Sequence, residues 1–181
     1  SGAKAGTSID AQYAEEYNAT VKATASKNQT DLTAARVLVD GLYQAVKGTK
    51  NEYLATTLSS LLDPAQQVKL NDLYTAMAKA DASLKQADIN AARDLLLAMP
   101  QQWVTTFSSA NDAIQQKLNA KVNDAVVKAE TSKIDADKTA ALALIADVKT
   151  ATNNDGVITW VKAMETRANA IVTALQVNSV T

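Results

Sequence analysis

From Gln101 to about Glu130 the chain contains neither proline nor glycine, and Trp103, Phe107, Ala110, Ile114, Leu118, Val122 and Ala125 recur at helical spacing. That pattern predicts one long helix. At a rise of 1.5 Å per residue it is roughly 40 Å long, which is too long for a compact globule of this size and suits a rod. Every other segment must either pack against this helix or extend it.

Composition narrows what such a rod can do. The chain has 181 residues and 47% of them are apolar, enough for one domain or two small bundles with a core. Much of that apolar fraction is alanine and only 4% of the chain is aromatic, so the core should be thin and spread along an axis, with helices in close approach. Cysteine and histidine are both absent, which removes disulfides, thiolate chemistry, the usual neutral-pH base and the commonest metal ligand. Net charge is −1 with scattered Lys and Arg, so nucleic acid is not an expected partner. No apolar run reaches the length of a membrane span, so no membrane insertion is expected. Ser1 and Gly2 look like a tag remnant, and residues 1–7 are expected to be disordered.

In chain order, Ser8 offers an N-cap to a first helix striped by Ile9, Tyr13, Tyr17 and Val21, which fades over Ser26 to Gln29. A second helix is predicted from a Thr30 or Asp31 cap, burying Leu32, Ala35, Val39, Leu42, Tyr43 and Val46 and stopped by Gly48. Gly41 inside it suggests a close helix contact. A third, about Asn51 to Leu62, buries Tyr53, Leu54, Thr57, Leu58 and Leu61. The pair Asp63 and Pro64 then reads as the cap and first turn of a fourth helix running to about Gln86 through Val68, Leu70, Leu73, Tyr74, Met77 and Leu84. Asp88 caps a short helix over Ile89 to Ala98, and Pro100 marks the corner before the long helix.

Thr131 to Asp137 interrupts the stripe. It can be a tight turn with caps at Ser132 and Asp135, or a polar patch on a continuous helix; the new phase of Ala141, Leu142, Ile145 and Val148 favours the turn. Asn153, Asn154, Asp155 and Gly156 make the clearest turn in the chain. A last helix follows from Val157 to about Val177, burying Trp160 or Val161, Met164, Ala168, Ile171, Val172 and Leu175. Strand signals are weak throughout. The expected fold is all-α: elongated antiparallel helical bundles, most simply two stacked three-helix bundles sharing the long helix, with 8–100 as the first and 101–181 as the connecting helix and second bundle. Local helix pairs recur, but no fixed period marks a solenoid.

Candidate chemistry is sparse. Glu15 with Glu16, and Asp135 with Asp137, are the nearest approach to carboxylate pairs, yet neighbours on a helix diverge and read as solvated charges. Oxygen ligands at Asp135 and Asp137, or at Asn153 to Asp155, suggest calcium, but neither stretch carries a full loop with a terminal bidentate Glu, so no metal or other cofactor is expected. No nucleophile elbow or phosphate loop is present, and an enzyme is not expected. Asn18-Ala19-Thr20 and Asn28-Gln29-Thr30 match the glycosylation sequon, as chance allows in a chain rich in Asn and Thr. Tyr13, Tyr17, Tyr43, Tyr53 and Tyr74 all lie in the first half; helical spacing predicts burial with the phenol oxygens at the rim, and any that stay exposed could stack on sugar rings.

Two stretches carry a resemblance. Asp88, Ile89, Ala92, Met99 and Pro100 reproduce a spacing found in the helical N-terminal domain of the Geobacillus stearothermophilus type of S-layer protein, where K-D-L-E-K-A leads into a short helix ending I-P. Upstream, Lys50-Asn51-Glu52-Tyr53-Leu54-Ala55 looks like the K-K-D-A-Y-L-A of that family. The resemblance implies an elongated array of three-helix bundles joined by contiguous helices, in a secreted protein that self-assembles into a lattice on the cell wall. It also implies attachment to a secondary cell-wall polymer through basic and tyrosine residues. This chain lacks the basic excess, which leaves Tyr13, Tyr17, Tyr43 and Tyr53 as candidate glycan or polymer contacts. The expected role is a rigid spacer or docking element whose partners are neighbouring protomers or domains of the same chain. The alternative is an adhesin-type three-helix module that presents one helix face to a host protein or glycan.

Overall fold

Helix ends in this protein are set by short polar devices more than by glycine or proline. The structure, a computed structural model, describes residues 8–174, and among them are seven helices and no strand. These are α1 (Ile9–Ser26), α2 (Gln29–Val46), α3 (Glu52–Ser83), α4 (Gln86–Leu97), α5 (Gln101–Ser132), α6 (Asp135–Ala151) and α7 (Asp155–Asn169). Ser8 caps α1 by accepting from the Ala11 N–H, and Asn154 caps α7 by accepting from Val157. Gly48, at φ +74°, follows the end of α2. The long helix from Gln101 is present, and the chain does turn between Ser132 and Asp135.

Several boundaries differ from expectation. Helices 3 and 4 are one helix: Pro64 sits inside the 32-residue α3 instead of opening a new element. The surrounding turns carry the helix past the one amide that proline lacks. The cap of α2 is Asn28, whose Oδ1 accepts from both the Thr30 and Asp31 N–H groups. Asp88 lies in the first turn of α4 and not at its cap, and Ser132 closes α5 where a cap for α6 was expected. The last helix starts at Asp155 and ends at Asn169, short of Val177; Leu175 and Val177 lie outside the described residues.

The described residues group into two compact units that interleave along the sequence, 8–75 with 94–108 and 76–93 with 109–174, whereas the sequence reading places a boundary at 100. In the first unit α1 and α2, joined only by Lys27 and Asn28, fold back on each other. Their core combines Ala23, Leu32, Ala35, Val39, Leu42 and Val46 with Ala55, Leu58 and Leu62 of α3. In the second, Ile114, Leu118, Val122 and Val126 of α5 pack with Ile145 and Val148 of α6, Val161 and Met164 of α7, and Ala80 and Ile89.

The buried face of α1 is not the expected stripe. Tyr17 and Val21 are 44% and 46% exposed, while Gln12, Glu16, Thr20 and Ala23 are buried, so polar side chains occupy positions that periodicity assigns to the surface. Glu16 is therefore no solvated charge. Tyr43, Tyr53, Leu61, Val68 and Tyr74 are likewise exposed where burial was expected, Thr57 is exposed too, and Val172 is 81% exposed beyond the end of α7. The buried positions of α3 are Ala55, Leu58, Leu62, Gln66, Leu73 and Ala80.

Candidate functional site

Three helix corners share one construction. Lys22-Ala23-x-x-Ser26 leads to Asp31 and then Ala34-Ala35; Lys79-Ala80-x-x-Ser83 leads to Asp88 and Ala91-Ala92; Lys128-Ala129-x-x-Ser132 leads to Asp137 and Ala140-Ala141. At each corner the serine hydroxyl donates to the aspartate, at 2.8, 2.6 and 2.7 Å. Its oxygen accepts from the backbone N–H two residues on, at 3.2 Å every time. The lysine, one turn back, reaches the other carboxylate oxygen at 3.5, 3.4 and 3.5 Å. The residue after the serine takes a left-handed conformation in each case, with φ of 53° at Lys27, 48° at Leu84 and 58° at Lys133. Both alanines, the one after each lysine and the second of each Ala-Ala pair, are fully buried. Small side chains there let the two helices of a corner approach closely.

The recurrence extends further. Thr56-Thr57-Leu58-Ser59-Ser60 with Gln66-Gln67 in α3 matches Thr105-Thr106-Phe107-Ser108-Ser109 with Gln115-Gln116 in α5, and both helices are 32 residues long. The chain is therefore an internal repeat that a search for one fixed period misses. Lys22 and Lys79 are 57 residues apart but Lys79 and Lys128 only 49, because α4 has 12 residues where α2 has 18 and the connection that follows it has three residues where the one after α2 has five. The legible signal was the K-A-x-x-S-x-x-x-x-D-x-x-A-A motif itself.

Two polar clefts occupy matching places in this repeat. In the first unit a cleft of about 420 Å³ is lined by Arg36 and Asp40 of α2, Asp63, Gln66 and Gln67 of α3, and Pro100, Gln102 and Trp103 at the start of α5. Arg36 donates to Ser59 Oγ at 2.8 Å and to Asp63 Oδ1 at 2.7 Å. Gln66, 3% exposed, donates through Nε2 to Gln29 Oε1 at 3.2 Å, while its own Oε1 has no partner. Partial burial raises the Asp40 carboxyl above its ordinary range, against the opposing pull of Arg36. In the second unit a cleft of about 240 Å³ is lined by Gln86, Asn90, Arg93, Gln115, Asn153 and Asn154, among others. There Gln86 and Gln115 exchange two amide hydrogen bonds of 2.8 Å each, leaving neither amide oxygen unpaired.

The residues singled out by sequence are spread over the helices. Tyr13 and Tyr17 on α1 stand 6.0 Å apart between ring centroids; Tyr43 on α2 and Tyr53 on α3 make no ring contact among the described residues. Tyr17, Tyr43 and Tyr53 are exposed and Tyr13 is half-buried. Tyr74 meets Phe107 edge-on at 5.5 Å. Asp137 turns back to Ser132 and Lys128, and Asp135 accepts from Thr173 at 3.5 Å. The two carboxylates thus point to different partners, and no cluster of three acidic or other metal-ligating side chains forms among the described residues. Asn28 of the second sequon is engaged as the α2 cap. Arg36, Asp40 and Gln66 escaped the sequence reading because each is isolated along the chain, and Trp103 entered it only as part of the α5 stripe. No helix among the described residues is long and apolar enough to cross a membrane. Comparison with protein-family models, with curated proteins and with solved structures finds no match.

Proposed function

We propose that this chain is a repeat-built structural segment of an S-layer-like cell-surface protein, serving as a rigid spacer and docking element in a self-assembling lattice outside the cell. The observation that carries this reading is the recurrence of one helix corner, with the same Lys, Ser and Asp interactions, three times in a chain with little else of chemical character. Repeated local units are a natural way to build length, since each needs only its neighbour for support. The two matched 32-residue helices suit the same purpose. Partners on this reading are neighbouring protomers or other domains of the same chain, with cell-wall polymer meeting the exposed Tyr17, Tyr43 and Tyr53.

The test is assembly. Purified protein, alone and joined to its neighbouring domains, should form ordered sheets visible by negative-stain electron microscopy and should sediment with isolated cell walls. Protein that stays monomeric in every such preparation, yet is retained by host glycans or host proteins, would replace this reading with the adhesin module.

A further inference from the structure

Where the end of α1 meets the middle of α3, the first unit carries a groove of about 410 Å³. Leu61, Pro64, Ala65 and Val68 line it from one face of α3, and Leu61 and Val68 are 49% and 57% exposed. Thr24 of α1 adds no free donor, because its hydroxyl turns back to the Thr20 and Val21 carbonyls at 3.0 and 3.1 Å. The remaining lining residues are Lys27 and Lys69, and neither makes an ion pair among the described residues. The groove is therefore apolar and positively charged, with no carboxylate in its lining.

The repeat shows what closes this place elsewhere. Counted from the corner lysines, Thr24 matches Asp81 and Glu130; counted from the starts of α3, α5 and α7, Val68 matches Lys117 and Pro64 matches Arg167. Asp81 pairs with Lys117 at 2.6 Å, and Glu130 pairs with Arg167. An ion pair thus bridges the two helices at the second and third corners, and at the first it is replaced by Thr24, Pro64 and Val68. A protein partner needs roughly 800 Å² of surface per side, far more than four adjoining side chains present, whereas clefts of about 300 to 1,000 Å³ suit small molecules. We infer that the groove binds a small apolar anion, its hydrocarbon part against Leu61, Pro64 and Val68 and its acidic group at Lys27 and Lys69. The second unit has an apolar groove too, lined in part by Leu84, Lys85, Lys121 and Leu144, but there Asp147 offsets the lysines. This inference does not rest on the lattice reading.

Anilinonaphthalene sulfonate, an apolar anion that brightens out of water, serves as the reporter, with decanoate as competitor and decanol and decyltrimethylammonium as uncharged and cationic controls, all below micelle-forming concentrations. The reporter should bind saturably and be displaced by decanoate at concentrations where neither control displaces it. Thr24→Asp combined with Val68→Lys installs the bridge of the second corner and should abolish this binding. Lys27→Gln combined with Lys69→Gln leaves the groove open and should weaken decanoate about threefold or more, as loss of exposed charge contacts does. Circular dichroism melts verify that each variant is folded, and the two lysine changes lie on the surface, so the test survives if the bridged variant does not fold. Absence of saturation, equal displacement by all three competitors, or indifference to the lysine changes would overturn the inference. So would binding that is lost in Lys85→Gln combined with Lys121→Gln, which would place it in the second unit.

Discussion

Lys27, Leu84 and Lys133 adopt a backbone conformation that glycine takes far more easily. Lys133 is exposed, so Lys133→Gly relieves the conformation without sacrificing packing and should raise stability by about 1 kcal/mol, measured by urea unfolding. Leu84 is partly buried against the second core, so Leu84→Gly loses side-chain contacts and should gain less or destabilise. The same corner predicts a pH response. The Ser83 hydroxyl, with Lys79 and Lys85 nearby, holds the Asp88 carboxyl below its ordinary value. A carboxyl depressed in the folded state adds stability that is fully present above its unfolded pKa and lost as pH falls through the folded value. Asp88→Asn should therefore be less stable than the parent at neutral pH and converge with it on acidification; a constant difference across that range would show that the charge is not what matters.

At the scale of the helix, α3 carries Pro64 where α5 has Ala113 in the matching position. Pro64→Ala restores the missing amide hydrogen bond and should stabilise by about 1 to 3 kcal/mol in thermal or denaturant melts. Conversely, Leu118 and Ile114 are 1% and 6% exposed on α5, and truncating either to alanine should cost about 2 to 4 kcal/mol. Ala120→Pro on the exposed side of the same helix should cost about 3 kcal/mol or more, because it breaks the helix interior. Alpha5 was legible as a helix, and Ile114, Leu118 and Val122 are buried as its stripe predicts, but on either side the buried face shifts by one residue, with Ala110 exposed beside the buried Asn111 and Val126 buried beyond the half-buried Ala125. Alpha1 was readable as a helix but not as an oriented one, since Gln12, Glu16 and Thr20 face inward and hydrophobicity is blind to them. Pro64 misled because a proline preceded by aspartate is also the common signature of a helix start. The cleft was illegible for a different reason: its side chains come from three helices and converge only in the fold.

For the whole molecule, a spacer must be longer than it is wide. Small-angle scattering should return a radius of gyration clearly above the roughly 16 Å of a compact domain of this length, and a compact value would remove the spacer role. The repeat also shows which lengths the protein holds fixed. The long helices α3 and α5 match residue for residue in length, whereas the returning helices α2, α4 and α6 have 18, 12 and 17 residues. The returning helices thus differ in length from one repeat to the next, whereas α3 and α5 do not. A foreign epitope or tag is accordingly best spliced beside Gly48 or at Asn153, at the ends of the returning helices, where the repeats already differ in length.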